Sequence, residues 1–374
     1  MTNVLIAADS FKGSATSLEV GEYLEKGIKK ADPNIEVHKY GVADGGEGTV
    51  SSVVNTLNGK FIKSTVTGPL GEEVNATWGL LDNKTAVIEV AESSGITLIN
   101  NRLDPLKTTT YGVGELIKLA LDVGVKKIYV GLGGSATNDG GAGMAQALGA
   151  RFLDKSNDEL PFGGGNLDKL VKVDLSKLDS RLNNVEIIAL SDVKNPLTGR
   201  NGASAIFGPQ KGATQDQVTQ LDKNLENLAE KTYKAIGKDF STRYGAGAAG
   251  GVGFGLMAFC DSKIESGIDS IMNLIHLDQE MKQADLVITG EGQIDGQSLM
   301  GKVPIGVAKL AKKFNLPVIV VAGSIGEDIE KVYESGVDLV LSSTNKPMSL
   351  SEAMKETPKL LEKAGYMAYK AFIL

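Results

Sequence analysis

Asp285-Leu286-Val287-Ile288-Thr289, Pro317-Val318-Ile319-Val320-Val321-Ala322 and Val337-Asp338-Leu339-Val340-Leu341 are three short apolar runs in the last third of the chain. Runs this short and this continuously apolar predict strands buried on both faces, as in a parallel sheet covered by helices. The stretches between them, Pro304–Phe314 and Asp328–Ser335, carry helical spacing, so strand and helix alternate. A closing helical region is signalled by the capping box Ser349-x-x-Glu352, with a break expected near Pro358.

The opening of the chain follows the same grammar. Val4-Leu5-Ile6-Ala7-Ala8 predicts a buried strand, and Thr16-x-x-Glu19 starts a helix whose Val20, Leu24 and Ile28 recur every four residues. Val37–Val42 predicts a second strand and Glu47–Leu57 a second helix. From Gly59 to Glu92 the character changes to short alternating stretches, Phe61–Val66, Val74–Leu80 and Ala86–Val90, separated by turn residues, which predicts antiparallel hairpins. Helix and strand alternate again through Thr109–Val123, Lys127–Gly131, Gly141–Leu148, Val185–Leu190 and Gln215–Ile236. At 374 residues the chain exceeds the roughly 250–300 that one core supports. The simplest assembly is α/β with two domains. A Rossmann-like parallel-sheet domain takes 1–63 plus 280–374, a second mixed α/β domain is inserted at 64–279, and the active site lies in the cleft between them. Two sequential domains split near residue 150 are the alternative.

Composition narrows the function. Lys and Arg number 39 against 46 Asp and Glu, a formal charge of -7, so neither nucleic acid nor an anionic membrane is an expected partner. Cys260 is the one cysteine, which excludes an intramolecular disulfide and a cysteine metal site. No signal-like segment opens the sequence and no apolar run nears the ~18 residues of a membrane span, so a cytoplasmic placement is expected. The two histidines, His38 and His276, sit in structural contexts, and acid–base chemistry falls to Asp, Glu or Lys. Glycine is in excess, 46 residues, and clustered, which points to loops where backbone approaches a ligand.

Ligands of open parallel sheets bind where strands end and helices begin. Asp9-Ser10-Phe11-Lys12-Gly13-Ser14 follows the first strand, and Asp44-Gly45-Gly46-Glu47-Gly48-Thr49 the second. Each sets a carboxylate ahead of a helix N-terminus, which attracts anions; Asp9 and Asp44 read equally as turn residues or caps. Gly131–Gly143 is the densest glycine loop. Its backbone N–H groups suit phosphate oxygens, with Ser135, Thr137 and Asn138 as added donors, unless it is merely a tight turn. Gly131-x-Gly133 does not continue with glycine at 136, which argues against a dinucleotide fingerprint.

Asp192, after a buried strand, would accept a hydroxyl proton or hold Mg²⁺ through water. Gly208-Pro209-Gln210-Lys211-Gly212 places a lysine between glycines, whereas Gly245–Gly251 has no reactive side chain and suits close backbone approach or helix packing. Thr289–Asp295 follows a strand and leads into Gly296-x-x-x-x-Gly301-Lys302-Val303, a near miss to the Walker A loop that fails at Val303. Lys302 still offers a point charge to phosphate, and Glu291 and Asp295 a place for a metal. Carboxylates, lysines and glycine loops without usable histidine suit phosphoryl transfer, which needs positioning, charge neutralisation and one carboxylate for the hydroxyl proton. Sugar-binding proteins and some lyases share this composition.

In order along the chain, Asp9–Ser14, Asp44–Thr49, Thr67–Gly71, Thr108–Gly112, Gly133–Gly141, Asp192–Leu197, Gly208–Gly212, Gly245–Gly251 and Thr289–Lys302 resemble the type-1 glycerate kinase family. The likeness covers essentially the whole chain. It implies ATP-dependent phosphorylation of D-glycerate to 2-phosphoglycerate or 3-phosphoglycerate, with ATP and Mg²⁺ as cofactors, and it leaves a homodimer open. As hypotheses within it, Asp192 is the general base with Asp44 second. Lys12 and Lys211 neutralise the glycerate carboxylate and the transferring phosphate. Ser135, Thr137 and Asn138 contact phosphates, Asp295 with Glu291 serves Mg²⁺, and Asp9, Ser10, Asp139 and Lys302 complete the substrate and phosphate set. The competing readings are a kinase of another small hydroxy acid or polyol, a dehydrogenase, and a non-catalytic sugar-acid binder.

Overall fold

The computed structural model describes residues 2–100, 102–299 and 301–374. In chain order the strands are β1 (Asn3–Ala8), β2 (Glu36–Gly41), β3 (Lys60–Thr67), β4 (Glu73–Leu81), β5 (Thr85–Glu89), β6 (Lys127–Gly131), β7 (Arg151–Leu153), β8 (Lys172–Asp174), β9 (Glu186–Leu190), β10 (Lys263–Glu265), β11 (Leu286–Ile294), β12 (Val318–Ile325) and β13 (Leu339–Ser342). They form sheets of five, six and two strands in an α/β protein whose chain divides into two compact units.

The first unit comprises the residues up to Asp44, Ser51–Asn58 and Ser266–Leu374. Its five-stranded sheet runs β13-β12-β11-β1-β2, parallel throughout. From β1 the chain steps one way, to β2; from β11 it steps the other way, to β12 and β13. The β1/β11 junction is therefore the topological switch point where such sheets open a crevice. Val4, Ile6, Leu24, Ile28, Ile288 and Val321 are fully buried in this unit's core, as the two-sided apolar runs require.

Two local readings are corrected. Thr289–Ile294 is not a loop after a strand: β11 continues through it, paired with β12 as Glu291 with Ala322 and Gln293 with Ser324. The glycines here permit close strand contact, since a Cβ on Gly290 would stand 2.3 Å from the Val321 carbonyl oxygen. Pro358 does not break the closing helix, which runs unbroken from Leu350 to Phe372. Proline removes one backbone donor from a helix interior, but this helix is held by tertiary packing on the helix Ser17–Ala31. Cβ atoms on Gly27 and Gly365 would lie 1.8 and 2.2 Å from the carbonyl oxygens of Glu362 and Leu24. Backbones in such contact hold the helix on course where its local sequence would not.

The second unit comprises Gly45–Val50 and Gly59–Glu265. Its sheet runs β10-β9-β6-β5-β4-β3, with β3, β4 and β5 antiparallel and β5, β6, β9 and β10 parallel. Trp78, Ile88, Leu116, Ile128, Phe152 and Phe254 fill its core. The small hairpin of β7 and β8 had no clear alternation in the sequence. Among the described residues no helix is long and apolar enough to cross a membrane.

Candidate active site

In the first unit a cavity of about 900 Å³ opens at the C-terminal ends of β1, β11, β12 and β13. Asp9, Ser10, Lys12, Asp44, Glu291 and Lys302 all line it, so six of the side chains singled out in the sequence meet in one place. They meet because parallel strands end on the same edge, and each carries its next residues there. The Asp9 N–H donates to the Gly290 carbonyl (2.9 Å), which ties the first loop to β11 at the switch point. Burial, and then the nearby Asp44 carboxylate, pushes the Asp9 carboxyl up to about 7, although the Ser10 N–H donates to it at 2.6 Å.

Glu291 is buried, and burial raises its pKa. Lys302 opposes that shift, its Nζ standing 3.4 Å from Oε2, and Ser298 Oγ donates to Oε1 at 2.9 Å. Asp295 does not line the cavity, but it shares Ser298: the Ser298 N–H donates to Asp295 Oδ1 (3.2 Å). Glu291 and Asp295 thus belong to one small network of hard oxygen acceptors. Among the described residues no group of three or more His, Cys, Asp or Glu is assembled for a metal.

The second unit builds its site from glycine. The loop after β6 lies backbone to backbone on the Gly45-Gly46 turn: a Cβ on Gly131 would stand 2.6 Å from the Gly45 carbonyl oxygen, and one on Gly133 2.5 Å from Gly46 Cα. Against this loop sits Lys211, 2 % exposed, whose Nζ donates to Ser135 Oγ (2.9 Å) and to the Thr137 carbonyl (2.7 Å). Both acceptors are neutral. Burial draws the ammonium down to about 7, with Asp139 pulling the other way. Ser135 and Lys211 line a cavity of about 330 Å³ whose remaining wall is largely apolar, with Ile96, Leu132, Val193 and Phe207.

Thr137, Asn138 and Asp139 are fully buried beneath this loop. Asp139 accepts from the N–H groups of Thr110, Gly141 and Gly143 and from Thr110 Oγ1, between 2.9 and 3.2 Å, so its carboxylate organises the loop. Asn138 Nδ2 donates to Ser204 Oγ at 2.8 Å. Asp192 follows β9 and lines neither cavity, although its neighbour Val193 lines the smaller one.

Several participants escaped the sequence. Ala249, in the Gly245–Gly251 stretch, lines the smaller cavity with φ +53°, followed by Gly250 and Gly251 at +68° and +94°. A Cβ on Gly250 would stand 1.9 Å from the Thr137 carbonyl oxygen, so this stretch braces the Gly131–Gly143 loop by close backbone approach, one of the two roles its composition suggests; what the sequence does not announce is the left-handed Ala249. Ser342, Ser343 and Thr344 line the larger cavity; a polar run straight after an apolar strand was the available signal. Glu89 is buried, accepts from the Val50 N–H at 2.6 Å and is pushed by burial to about 7, which nothing in its sequence context announced.

Strand-end carboxylates, lysines at glycine loops and an α/β frame are the equipment of a phosphotransferase. The chain belongs to the glycerate kinase family, whose model matches residues 4–372, and it is a kinase. A glycerate kinase of Bacillus subtilis is 49% identical over 364 residues, covering 97% of this chain and 95% of its own. A glycerate 2-kinase of Escherichia coli K12 is 48% identical over 354 residues, covering 94% and 93%. The crystal structure of a provisionally named glycerate kinase 2 from Salmonella typhimurium LT2 matches with TM-score 0.90 at 44% identity, over 99% of this chain and 98% of that one.

Proposed function

We propose that this chain transfers the γ-phosphoryl group of ATP to D-glycerate, giving 2-phosphoglycerate. The observation that carries the reading is Lys211. A buried ammonium with only neutral acceptors is costly, and two of its three N–H donors are spent on Ser135 and Thr137. A small carboxylate entering the cavity beside it would restore the charge balance and hold the proton on the lysine. That favours an acid over a polyol as acceptor substrate. A hydroxylated acid held there leaves its hydroxyl to attack, with Asp192 taking the proton and Asp44 the second candidate. Ser135 and the N–H groups of the glycine loop hold the acid's oxygens, while Lys12 and Lys302 neutralise phosphate charge. Glu291 and Asp295 fit Mg²⁺ as carboxylate ligands, since this cation takes one or two such oxygens besides phosphate and water; it would supply charge neutralisation to the transferring group. The product's name follows the E. coli relative.

Purified protein with Mg-ATP and D-glycerate should release ADP only when glycerate is present. Phosphorus NMR should then show the phosphate coupled to the single proton of C2. Silence with D-glycerate beside turnover of another hydroxy acid would replace the substrate. Coupling to two protons would move the product to 3-phosphoglycerate.

A further inference from the structure

The cavity of the first unit is far larger than a three-carbon acid requires; about 900 Å³ is near the upper end of what small-molecule sites occupy. Its lining is sharply divided. Around the switch point it is charged, with Asp9, Lys12, Glu291 and Lys302. Beyond the ends of β12 and β13 it is apolar, with Ile325, Met348, Leu350, Met354 and Leu360. Leu350 is 78% exposed at the start of the closing helix, an apolar side chain without cover. Between the two regions Ser342, Ser343 and Thr344 supply hydroxyls and backbone groups. Three of these are committed: the Ser343 N–H donates to the Ala322 carbonyl (2.7 Å), Thr344 Oγ1 to that of Gly323 (2.6 Å) and Ser342 Oγ to that of Thr344 (3.3 Å).

We propose that Met348, Leu350, Met354 and Leu360 form the subsite for a purine base, with the nucleotide's phosphates carried by Lys12 and Lys302. The ligand that matches an apolar wall joined to a cationic floor is a flat, largely apolar ring bearing an anionic tail. Methionine suits the face of such a ring, because its thioether is polarizable and unbranched. The loop Asp9–Ser14 is set against this wall, since a Cβ on Gly13 would lie 2.8 Å from the Met354 methyl. Base and phosphate contacts are thereby joined in one rigid corner. The proposal rests on the reading of this chain as a kinase that uses a nucleotide, and it adds which surface recognises the base.

The direct test is photolabelling of the wild-type protein with 8-azido-ADP, followed by peptide mapping. Attachment within residues 342–360, blocked by ADP, is expected; labelling confined to other peptides overturns the proposal. Binding measurements give the second arm. Met354→Glu sets a charge against the base and should weaken ADP by about tenfold or more, while Met354→Leu stays within about threefold. Tripolyphosphate should bind all three proteins alike. Equal ADP affinity in Met354→Glu and wild type, or parallel loss of tripolyphosphate and ADP, overturns the subsite. Should the wild type leave glycerate unphosphorylated yet label within 342–360, the substrate reading falls and the base subsite stands.

Discussion

Lys302 and Lys211 present two ways of keeping a cation. In the first unit Lys302 pairs with Glu291 at the edge of a regular parallel sheet, among side chains delivered there by strands. In the second, Lys211 is buried with a hydroxyl and a carbonyl for company, held by a loop whose glycines press backbone on backbone. The glycines differ in the same sense. A Cβ on Gly292 in β11 would meet nothing nearer than 3.9 Å, whereas one on Gly133 would collide at 2.5 Å. At Gly292 the strand leaves room for a side chain, although Gly290 two residues earlier does not, its Cβ falling 2.3 Å from the Val321 carbonyl oxygen; at Gly133 the packed loops leave none. Lys211 makes no ion pair among the described residues: its hydrogen bonds go to neutral oxygens, and the Asp139 carboxylate acts on it only through space.

The largest expected effect concerns the proton acceptor. Asp192→Asn should lower turnover by about 10²–10⁴-fold with little change in KM, read in a coupled ADP assay; undiminished turnover removes Asp192 as base and leaves Asp44. Next, Lys211→Met keeps the volume and removes the charge. The kcat/KM for glycerate should fall about 10²–10³-fold while ADP affinity and folding persist, because an apolar replacement of a buried charge is tolerated. In the free protein the Lys211 ammonium lies at about 7. Its proton is lost above that pH, so wild-type kcat/KM for glycerate should decline there, and the variant should lack that limb. A profile that is flat from pH 6 to 9 in the wild type would separate Lys211 from acid binding.

The glycine contrast predicts smaller effects. Gly133→Ala should cost about 1–3 kcal/mol in denaturant unfolding, and Gly292→Ala less than about 0.5; equal costs would erase the distinction between the two sites. Ala249→Gly is expected to act in the opposite direction. An L-residue at φ +53° stores about 1 kcal/mol, so glycine there should stabilise the fold by up to that amount, offset by its greater freedom when unfolded. A loss of stability would mean that the Ala249 methyl contributes more to the cavity wall than its backbone costs.

The sheet of the first unit was legible because burial on both faces writes itself as unbroken apolar runs, and the shortness and β-branched content of Val318–Val321 favour a strand over a helix. Two cavity residues were legible for the same reason: once the strand ends were known, Asp9 and Asp44 were next in line, whereas Glu291 was reached although its strand runs on to Ile294. Helix Leu350–Phe372 was misread at Pro358, since its continuity depends on Gly27 and Gly365 bringing two distant backbones together. Ala249 and Glu89 were hidden for a related cause. A left-handed alanine and a buried acid are properties of what surrounds them, and the neighbours that impose them are remote in sequence.

Strand β1 has a further consequence outside the finished molecule. Its partners are β2, which begins at Glu36 after one intervening helix, and β11, which begins only at Leu286. At ribosomal rates roughly ten to fifty seconds pass between the emergence of β2 and that of β11. Throughout that interval β1 has one edge without its partner, the condition that invites wrong pairing, while the contiguous stretch Gly59–Glu265 is already complete and able to collapse. A nascent chain halted once Glu265 has left the ribosome, with Leu286 not yet emerged, should therefore resist protease across that stretch and be cut within Asn3–Gly41. Translation speed and chaperone supply would then bear on the yield of this protein through its first strand far more than through the rest of the chain.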